Sequence, residues 1–186
     1  MSRLSVIIIA LTAGYLGCHA QERPADRIEA ATGLIAPGDV VLKKTVSADV
    51  GVMVVYKTEE GATGSCAVVI YDPARPAHEV ASSLNLLDCV DSDPATTAKQ
   101  LQLTVGAAHI ALARTKATGG ESFALDRDAA GTWRVSEAAY TEPETDADTG
   151  DVVVVQERAT FEKAGPTVSE FSYERIKPNL IRSKIE

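Results

Sequence analysis

The residues best suited to metal chemistry are carboxylates spaced two apart in a turn-like segment. Asp126 and Asp128 precede Gly131, as in the first half of a calcium loop. Calcium takes roughly six to eight oxygen ligands, and the EF-hand pattern places glycine at the sixth position and glutamate at the twelfth. Gly131 and Glu137 occupy those positions, but Ala130 stands at the fifth and a predicted strand would carry Glu137 away. We predict an acidic hairpin turn without metal or other cofactor, in which Asp126 and Asp128 are only weak calcium candidates.

A second acidic run, residues 137–151, contains six acids and no base. Alternate carboxylates could also approach a cation here, but the glycine after Asp146 comes one residue too early for the EF-hand pattern. Because like charges repel, such a run persists most readily where it faces water or a basic partner. We predict a solvated loop between two strands and a candidate docking surface for a basic protein, formed by Glu142, Glu144, Asp146, Asp148 and Asp151.

Residue patterns for nucleophilic or cofactor-dependent catalysis are missing from the sequence. Ser65 is followed by Cys66, whereas a nucleophile elbow has the pattern Gly-x-Ser-x-Gly. His78 and His109 show no metal-ligand spacing with the cysteines, and there is no P-loop, dinucleotide-binding glycine motif or HExxH. We therefore favour a non-catalytic protein, and the enzymatic alternative is a site dispersed over loops.

The first twenty residues have the layout of a bacterial export signal. Arg3 precedes an apolar run from Leu4 to about Leu16, and small residues follow. The run is shorter than the roughly 20 apolar residues that a spanning helix needs. We predict that residues 1–20 are a cleaved signal peptide and that the protein reaches the periplasm.

The end of this segment resembles the lipobox of bacterial lipoproteins. In Tyr15-Leu16-Gly17-Cys18 a small residue precedes a cysteine, although the family prefers leucine where Tyr15 stands. The resemblance implies cleavage before Cys18, lipidation of that cysteine, and attachment to a membrane through the lipid alone. The alternative is cleavage after Ala20, which would release a soluble protein that begins at Gln21.

Processing of the signal leaves an even pair of cysteines, Cys66 and Cys89. Outside the cytosol such a pair most simply forms one disulfide bond. In the chain-entropy model, closing a loop of this size stabilises a protein by about 3 kcal/mol. We predict a structural Cys66–Cys89 disulfide.

Composition indicates one acidic domain. The chain has 186 residues, of which 45% are hydrophobic, and a formal net charge of −8. Removal of residues 1–20 takes away one base, Arg3, and leaves a net charge of −9. Because phosphates would repel such a protein, we expect no nucleic-acid binding, whereas a basic protein is a plausible partner.

The hydrophobic pattern predicts an all-β fold after a short connecting segment. Residues 21–38 resemble a tether or short helix, and residues 39–186 form a β-rich domain, because short runs rich in Val, Ile and Thr alternate with Gly, Asp and Pro. An antiparallel sandwich, barrel or meander would all give this pattern. The expected strands lie at 40–46, 50–56, 66–71, 101–105, 110–112, 122–125, 132–135, 152–155 and 168–176.

The segment from Pro73 to Lys99 interrupts the β pattern. Val80, Leu84 and Leu87 lie at i, i+4 and i+7, which favours a short helix, although Leu84-Asn85-Leu86 also suits a strand.

Three functions fit these features. The first is an exported, non-catalytic protein-binding domain, such as an inhibitor or immunity-type protein that acts against a secreted hydrolase. The second is a structural or assembly lipoprotein of the envelope, which an exposed apolar edge strand would favour. The third is a ligand-binding β-barrel or an enzyme, which a deep pocket with converging polar groups would favour.

Overall fold

A computed structural model describes residues 35–36, 38–58, 64–90, 93–162 and 165–185, without the side chains of residues 76–78. The expected signal peptide, Cys18 and residues 21–34 of the expected tether lie outside the described residues. The described chain forms two antiparallel sheets, which confirms the all-β expectation.

The first sheet has four strands that neighbour one another in the same order as in the chain. The pairing is antiparallel throughout, so this sheet is a meander. Its strands are β1 (Val40–Val46), β2 (Gly51–Tyr56), β3 (Ser65–Asp72) and β4 (Arg75–Asp88).

The second sheet has six strands and is also a meander, with β5 at one edge and β10 at the other. Long β7 and β8 lie at its centre and pair from Gly120 with Thr141 to Arg127 with Trp133. Its strands are β5 (Leu101–Val105), β6 (His109–Lys116), β7 (Gly119–Arg127), β8 (Trp133–Thr145), β9 (Val152–Thr160) and β10 (Ile181–Ile185).

Short helices make the two longer connections. Helix α1 (Pro94–Gln100) joins the sheets, and it begins where the Asp93 side chain accepts a hydrogen bond from the Thr96 N–H at 3.0 Å. Helix α2 (Tyr173–Ile176) lies between β9 and β10 with a 3-10 turn on each side. None of the described helices has the length and apolarity needed to cross a membrane.

The two sheets share one hydrophobic core. Inward-facing side chains of β2 and β3 pack with those of β6, β7 and β8 and with residues beside α2, and the core includes Val54, Ile70, Leu112, Phe123 and Phe171. The other face of β2 and β3 is buried as well, in a second cluster of Met53, Val55, Ala67, Val69 and Tyr71 that Ile35 joins. Burial of both faces explains why these two strands are apolar almost without interruption.

Two expected elements are wrong. The segment expected as a short helix at Val80–Leu87 belongs to β4, because pairing with the apolar strand β3 overrides a weak helical periodicity. The alternative of a strand at Leu84-Asn85-Leu86 is confirmed. A register shift in the β3–β4 pair lets both Leu86 and Leu87 be buried, whereas Val80 and Leu84 of the helical spacing stay exposed. The strand expected at 168–176 is instead a 3-10 turn followed by α2, in which Val168, Phe171 and Ile176 face the core at turn-like rather than alternate spacing.

Candidate functional site

A cleft of about 560 Å³ lies among β4, the β6–β7 hairpin, β8 and α2. Its volume is within the range typical of small-molecule pockets. Leucines of β4 form its apolar side, and the β6–β7 hairpin, β8 and α2 supply most of its polar groups. The ionisable side chains and aromatic rings that line it are Asp88, Lys116, Glu121, Tyr140, Glu142, Tyr173 and Glu174.

Glu121 is the most buried carboxylate of this cleft, with 8% of its surface exposed. It lies on β7 opposite Arg114 on β6 and Tyr140 on β8. Its two oxygens accept the backbone N–H of Asp88 at 3.2 and 3.4 Å. Burial raises the pKa of Glu121 to about 7, although the nearby positive charges of Lys116 and Arg114 act in the opposite direction. Both protonation states of this side chain are therefore populated near neutral pH.

Arg114 fixes the end of β4 beside Glu121. Its side chain is 1% exposed, and its Nε donates to the Gln100 side-chain oxygen at 3.0 Å. A second guanidinium nitrogen donates to the backbone carbonyl of Asp88. Since Glu121 accepts the N–H of the same residue, the two charged side chains hold both backbone groups of Asp88, and with them one edge of the cleft.

Two tyrosines form an aromatic wall. The rings of Tyr140 and Tyr173 meet edge to face with centroids 5.3 Å apart, and Tyr140 also contacts Phe123 of the core at 5.8 Å. The Tyr173 hydroxyl donates to Glu157 at 3.0 Å, which orients its ring. Burial, and next the negative charge of Glu121, raise the pKa of Tyr140, so its hydroxyl stays protonated.

The cleft has an excess of negative charge. Four carboxylates line it, those of Asp88, Glu121, Glu142 and Glu174, but Lys116 is the one described cation in the lining. Lys116 lies 3.4 Å from Asp88, and its charge also acts on Glu121, so one cation is shared between two of the four acids. The site can therefore attract a cation, and it also carries hydroxyl and amide groups that can form hydrogen bonds.

The structure joins Cys66 of β3 to Cys89, the residue after β4, with Cα atoms 5.7 Å apart. Both cysteines are fully buried. The bridge ties the end of β4 to its neighbour next to Asp88, and thus supports the same edge of the cleft that Arg114 holds.

The acidic run extends from β8 into the turn before β9. Glu142 and Glu144 belong to β8, and Asp146 organises the turn by accepting the N–H groups of Asp148 and Thr149 at 2.9 and 3.3 Å. The sequence prediction of a solvated loop is wrong for Glu142 and Glu144, because both pair with β9 as part of β8; it fits Asp148 and Asp151, which are exposed and lie beyond the strand.

Two bases of the C-terminal strand pair with this run. Arg182 contacts Glu144, and Lys184 contacts Asp146. These bases are visible in the sequence, but only the register between β9 and β10 brings them across the sheet. Within the described chain, no cation lies at ion-pair distance from the other three predicted docking residues, Glu142, Asp148 and Asp151. Their role in docking stays a prediction.

Asp126 and Asp128 serve different contacts rather than a common centre. Asp126 lies 2.7 Å from Nδ1 of His109 across β6 and β7. Asp128 accepts the N–H groups of Ala130 and Thr132 in the β7–β8 turn and binds Nε of Arg134 at 2.8 Å, which holds the pKa of Asp128 below its usual value. In the described part of the chain, no three His, Cys, Asp or Glu side chains converge as metal ligands.

The sequence reasoning missed Glu121, Arg114 and the two tyrosines of the cleft. One signal was available: Glu121 lies two residues before Phe123, and Arg114 two residues after Leu112, so period-two alternation assigns both charges to the core-facing side of their strands. A charged residue on an otherwise apolar face suggests either a paired interior group or a site.

Comparison of the chain with protein-family models, with curated proteins and with solved structures gave no match. The functional assignment therefore depends on the geometry and charge of the site itself.

Proposed function

We propose that this protein is an exported, non-catalytic binding protein that recognises a basic protein through one acidic surface. This surface, called the acidic end below, consists of the cleft carboxylates Glu121, Glu142 and Glu174 and the turn residues Asp148 and Asp151. The observation that carries the proposal is that Glu142 belongs both to the cleft and to the acidic run. Unbalanced acids therefore lie both in the cleft, at Glu142, and in the β8–β9 turn, at Asp148 and Asp151, with the paired acids Glu144 and Asp146 between them.

Electrostatics supports a basic partner. Complementary charge steers two proteins together over about 8–10 Å at physiological salt and sets the association rate more than the final affinity. The acids at 142, 148 and 151 have no described cation at ion-pair distance, whereas Glu144 and Asp146 pair with bases of β10 and Glu137 pairs with Arg158 of β9. An incoming basic surface would supply the missing counter-charges.

The partner class that we propose is a secreted hydrolase with a basic surface, which this protein would inhibit. The support is a profile: an export-type N-terminus, one disulfide-linked β domain, strong net negative charge, and no recognisable catalytic motif in the sequence. A rigid β scaffold that presents a cleft rim and a turn is suited to such binding.

An envelope assembly role has weaker support. Strand β10 forms an edge with exposed Ile181, and Val152 on the neighbouring strand is exposed too, at 75% and 74%. However, Arg182 and Lys184 alternate along this edge, and charged residues on edge strands oppose association with further strands.

A ligand-binding or catalytic role for the cleft is the second candidate function. The observation in its favour is Glu121, whose pKa of about 7 suits proton transfer near neutral pH. Tyr140 next to it could orient a polar ligand. Incubation of the purified protein with panels of small polar ligands, followed by thermal unfolding, would support this role if one ligand raised the Tm only while Glu121 was intact.

Comparative capture tests the proposed function. The immobilised mature domain is exposed to envelope extract alongside two variants that each lose two negative charges. D148N/D151N alters the acidic end, whereas D49N/E162Q removes exposed acids elsewhere. We expect a basic protein to be retained by the wild type and the D49N/E162Q control and lost from D148N/D151N. Equal retention by all three would refute docking at the acidic end.

A further inference from the structure

We propose that the cleft beside Glu121 is a pocket for the alkylammonium group of a lysine side chain, presented by the basic partner. This inference rests on the proposed function, because it assigns one residue type of that partner to a defined place in the acidic end. A lysine needs two features from a pocket: apolar surface along its four-carbon stem, and negative charge at its tip.

The apolar feature lies on the β4 side of the cleft. Leu84 and Val90 line it and remain 45% and 65% exposed, although both are large hydrophobic residues. Leu86 and Leu87 line it as well and continue into the core. A lysine stem laid along this side would cover surface that is otherwise left in water.

The charged feature lies on the opposite side. Glu121, Glu142 and Glu174 come from β7, β8 and α2. Lys116 lies 3.4 Å from Asp88, and its charge and that of Arg114 also act on Glu121, so Glu142 and Glu174 supply the excess negative charge. An ammonium group here would meet carboxylates from three elements. Because Glu121 is largely withdrawn from water, its attraction to an ammonium group is stronger than on an open surface, whereas Glu142 and Glu174 are exposed and attract it through solvent.

The tyrosine rings add to the attraction. Ammonium groups bind to the electron-rich faces of aromatic rings within about 6 Å. In this chain the Nζ of Lys177 lies 5.9 Å from the centroid of the Tyr173 ring, so an ammonium group of the partner has to displace Lys177 or approach another part of that ring. Tyr140 stands next to it as the second wall.

Binding of an ammonium group should release a proton from the site. Glu121 is partly protonated near pH 7, and a neighbouring positive charge favours its ionised form. The affinity should therefore rise as the pH increases from 6 to 8. The charged and titratable groups that surround the cleft are Arg114 and Lys116 on β6, Asp88 on β4, Tyr140 and Glu142 on β8, and Tyr173 and Glu174 on α2.

The test uses a lysine mimic and its neutral analogue. The ¹⁵N-labelled mature domain is titrated with Nα-acetyl-lysinamide and, separately, with Nα,Nε-diacetyl-lysinamide, while amide resonances are followed by NMR. We expect the charged probe to shift resonances around Glu121, Tyr140 and Tyr173, and the neutral probe to bind at least about tenfold more weakly. No shifts at the cleft, or equal shifts with both probes, would overturn the inference.

Variants make the test specific. Glu121→Gln should weaken binding of the charged probe and abolish its dependence on pH between 6 and 8. If that variant does not fold, Tyr173→Leu, at a partly exposed position, should still weaken binding. The D49N/E162Q control should bind like the wild type. Failure of the probe combined with capture that depends on Asp148 and Asp151 would refute the lysine pocket and leave the proposed function in place, whereas the reverse pattern would refute docking through the turn.

Discussion

Glu121 is the residue on which the cleft depends most. Its carboxyl group is largely withdrawn from water, while its hydrogen bonds from Asp88 and the charge of Arg114 retain it in the interior. Burial makes a carboxylate in this position costly to ionise; Lys116, Arg114 and the Asp88 N–H offset part of that cost, and a bound cation would offset more. The same feature that destabilises the free protein above neutral pH thus favours a positively charged ligand.

The pH dependence of stability tests this description. The pKa of Glu121 is about 7 in the folded protein against an ordinary value of 4.5, so between these values the folded state holds a proton that the unfolded chain releases. The free energy of unfolding should therefore fall as the pH rises from 4.5 to 7, by up to roughly 3 kcal/mol, and this loss should be complete above pH 7. Glu121→Gln, which removes the titration, should abolish this part of the slope in urea unfolding at pH 5, 6, 7 and 8. Parallel pH profiles for the two proteins would contradict the assignment.

The sequence predicted the disulfide at the edge of the cleft but did not predict the charged and aromatic residues that line it. Cys66 and Cys89 could be paired from parity and compartment alone, because two cysteines allow one connectivity. Glu121 and Tyr173 could not be brought together in this way, since they are far apart in the sequence and meet through the fold of the connection between β9 and β10. Cross-strand register and helix placement are long-range properties that local patterns do not determine.

At the scale of elements, strands with clear alternation were predicted well. Leu101–Val105 and Trp133–Val135 lie in strands as expected, because one face is apolar and the other is not. The wrong predictions concern segments whose secondary structure is set by tertiary contacts. Segment β4 is a strand because it pairs with β3. Residues 168–176 form a 3-10 turn and a short helix because their apolar side chains pack onto the core from one side. Helix α1 was missed although Asp93 and Pro94 form a recognisable N-terminal signal.

The disulfide should stabilise the β3–β4 pair and the edge of the cleft. It closes a loop with a sequence separation of 23, for which the chain-entropy model gives about 3 kcal/mol. Mass analysis of the purified protein without reductant should show Cys66 linked to Cys89, and reduction should lower the midpoint of denaturant unfolding. Two free thiols in the purified protein would show that the bridge does not form in the cell.

At the scale of the whole molecule, we propose that the domain is delivered to the envelope and held there by lipid. The basis is Gly17-Cys18 at the end of an apolar run. Cys18→Ser should move the protein from the membrane fraction to the soluble fraction, or leave an uncleaved precursor, because an acyl anchor supplies the membrane affinity. Cell fractionation combined with N-terminal sequencing distinguishes a lipid-anchored protein from a soluble one. A wild-type protein that is soluble and begins at Gln21 would refute lipidation.

The acids of residues 137–151 divide into a part that pairs with bases of the same molecule and a part that does not. The acidic run is partly balanced within the molecule by bases of β9 and β10; of the acids left unbalanced, Glu142 lines the cleft, and Asp148 and Asp151 lie in the β8–β9 turn. Variants that remove acids of the run and variants that remove bases of β10 should change the association rate with a basic partner in opposite directions. Removal of acids lowers the attraction, whereas removal of the bases on β10 increases it.

The most direct test of recognition through the acidic end is the rate at which the captured partner associates, measured at several salt concentrations. We predict that the wild-type rate falls steeply as salt increases, that D148N/D151N associates more slowly with a flatter dependence on salt, and that R182Q/K184Q associates faster than the wild type at low salt. Association rates that are the same for all three proteins and independent of salt would contradict the account.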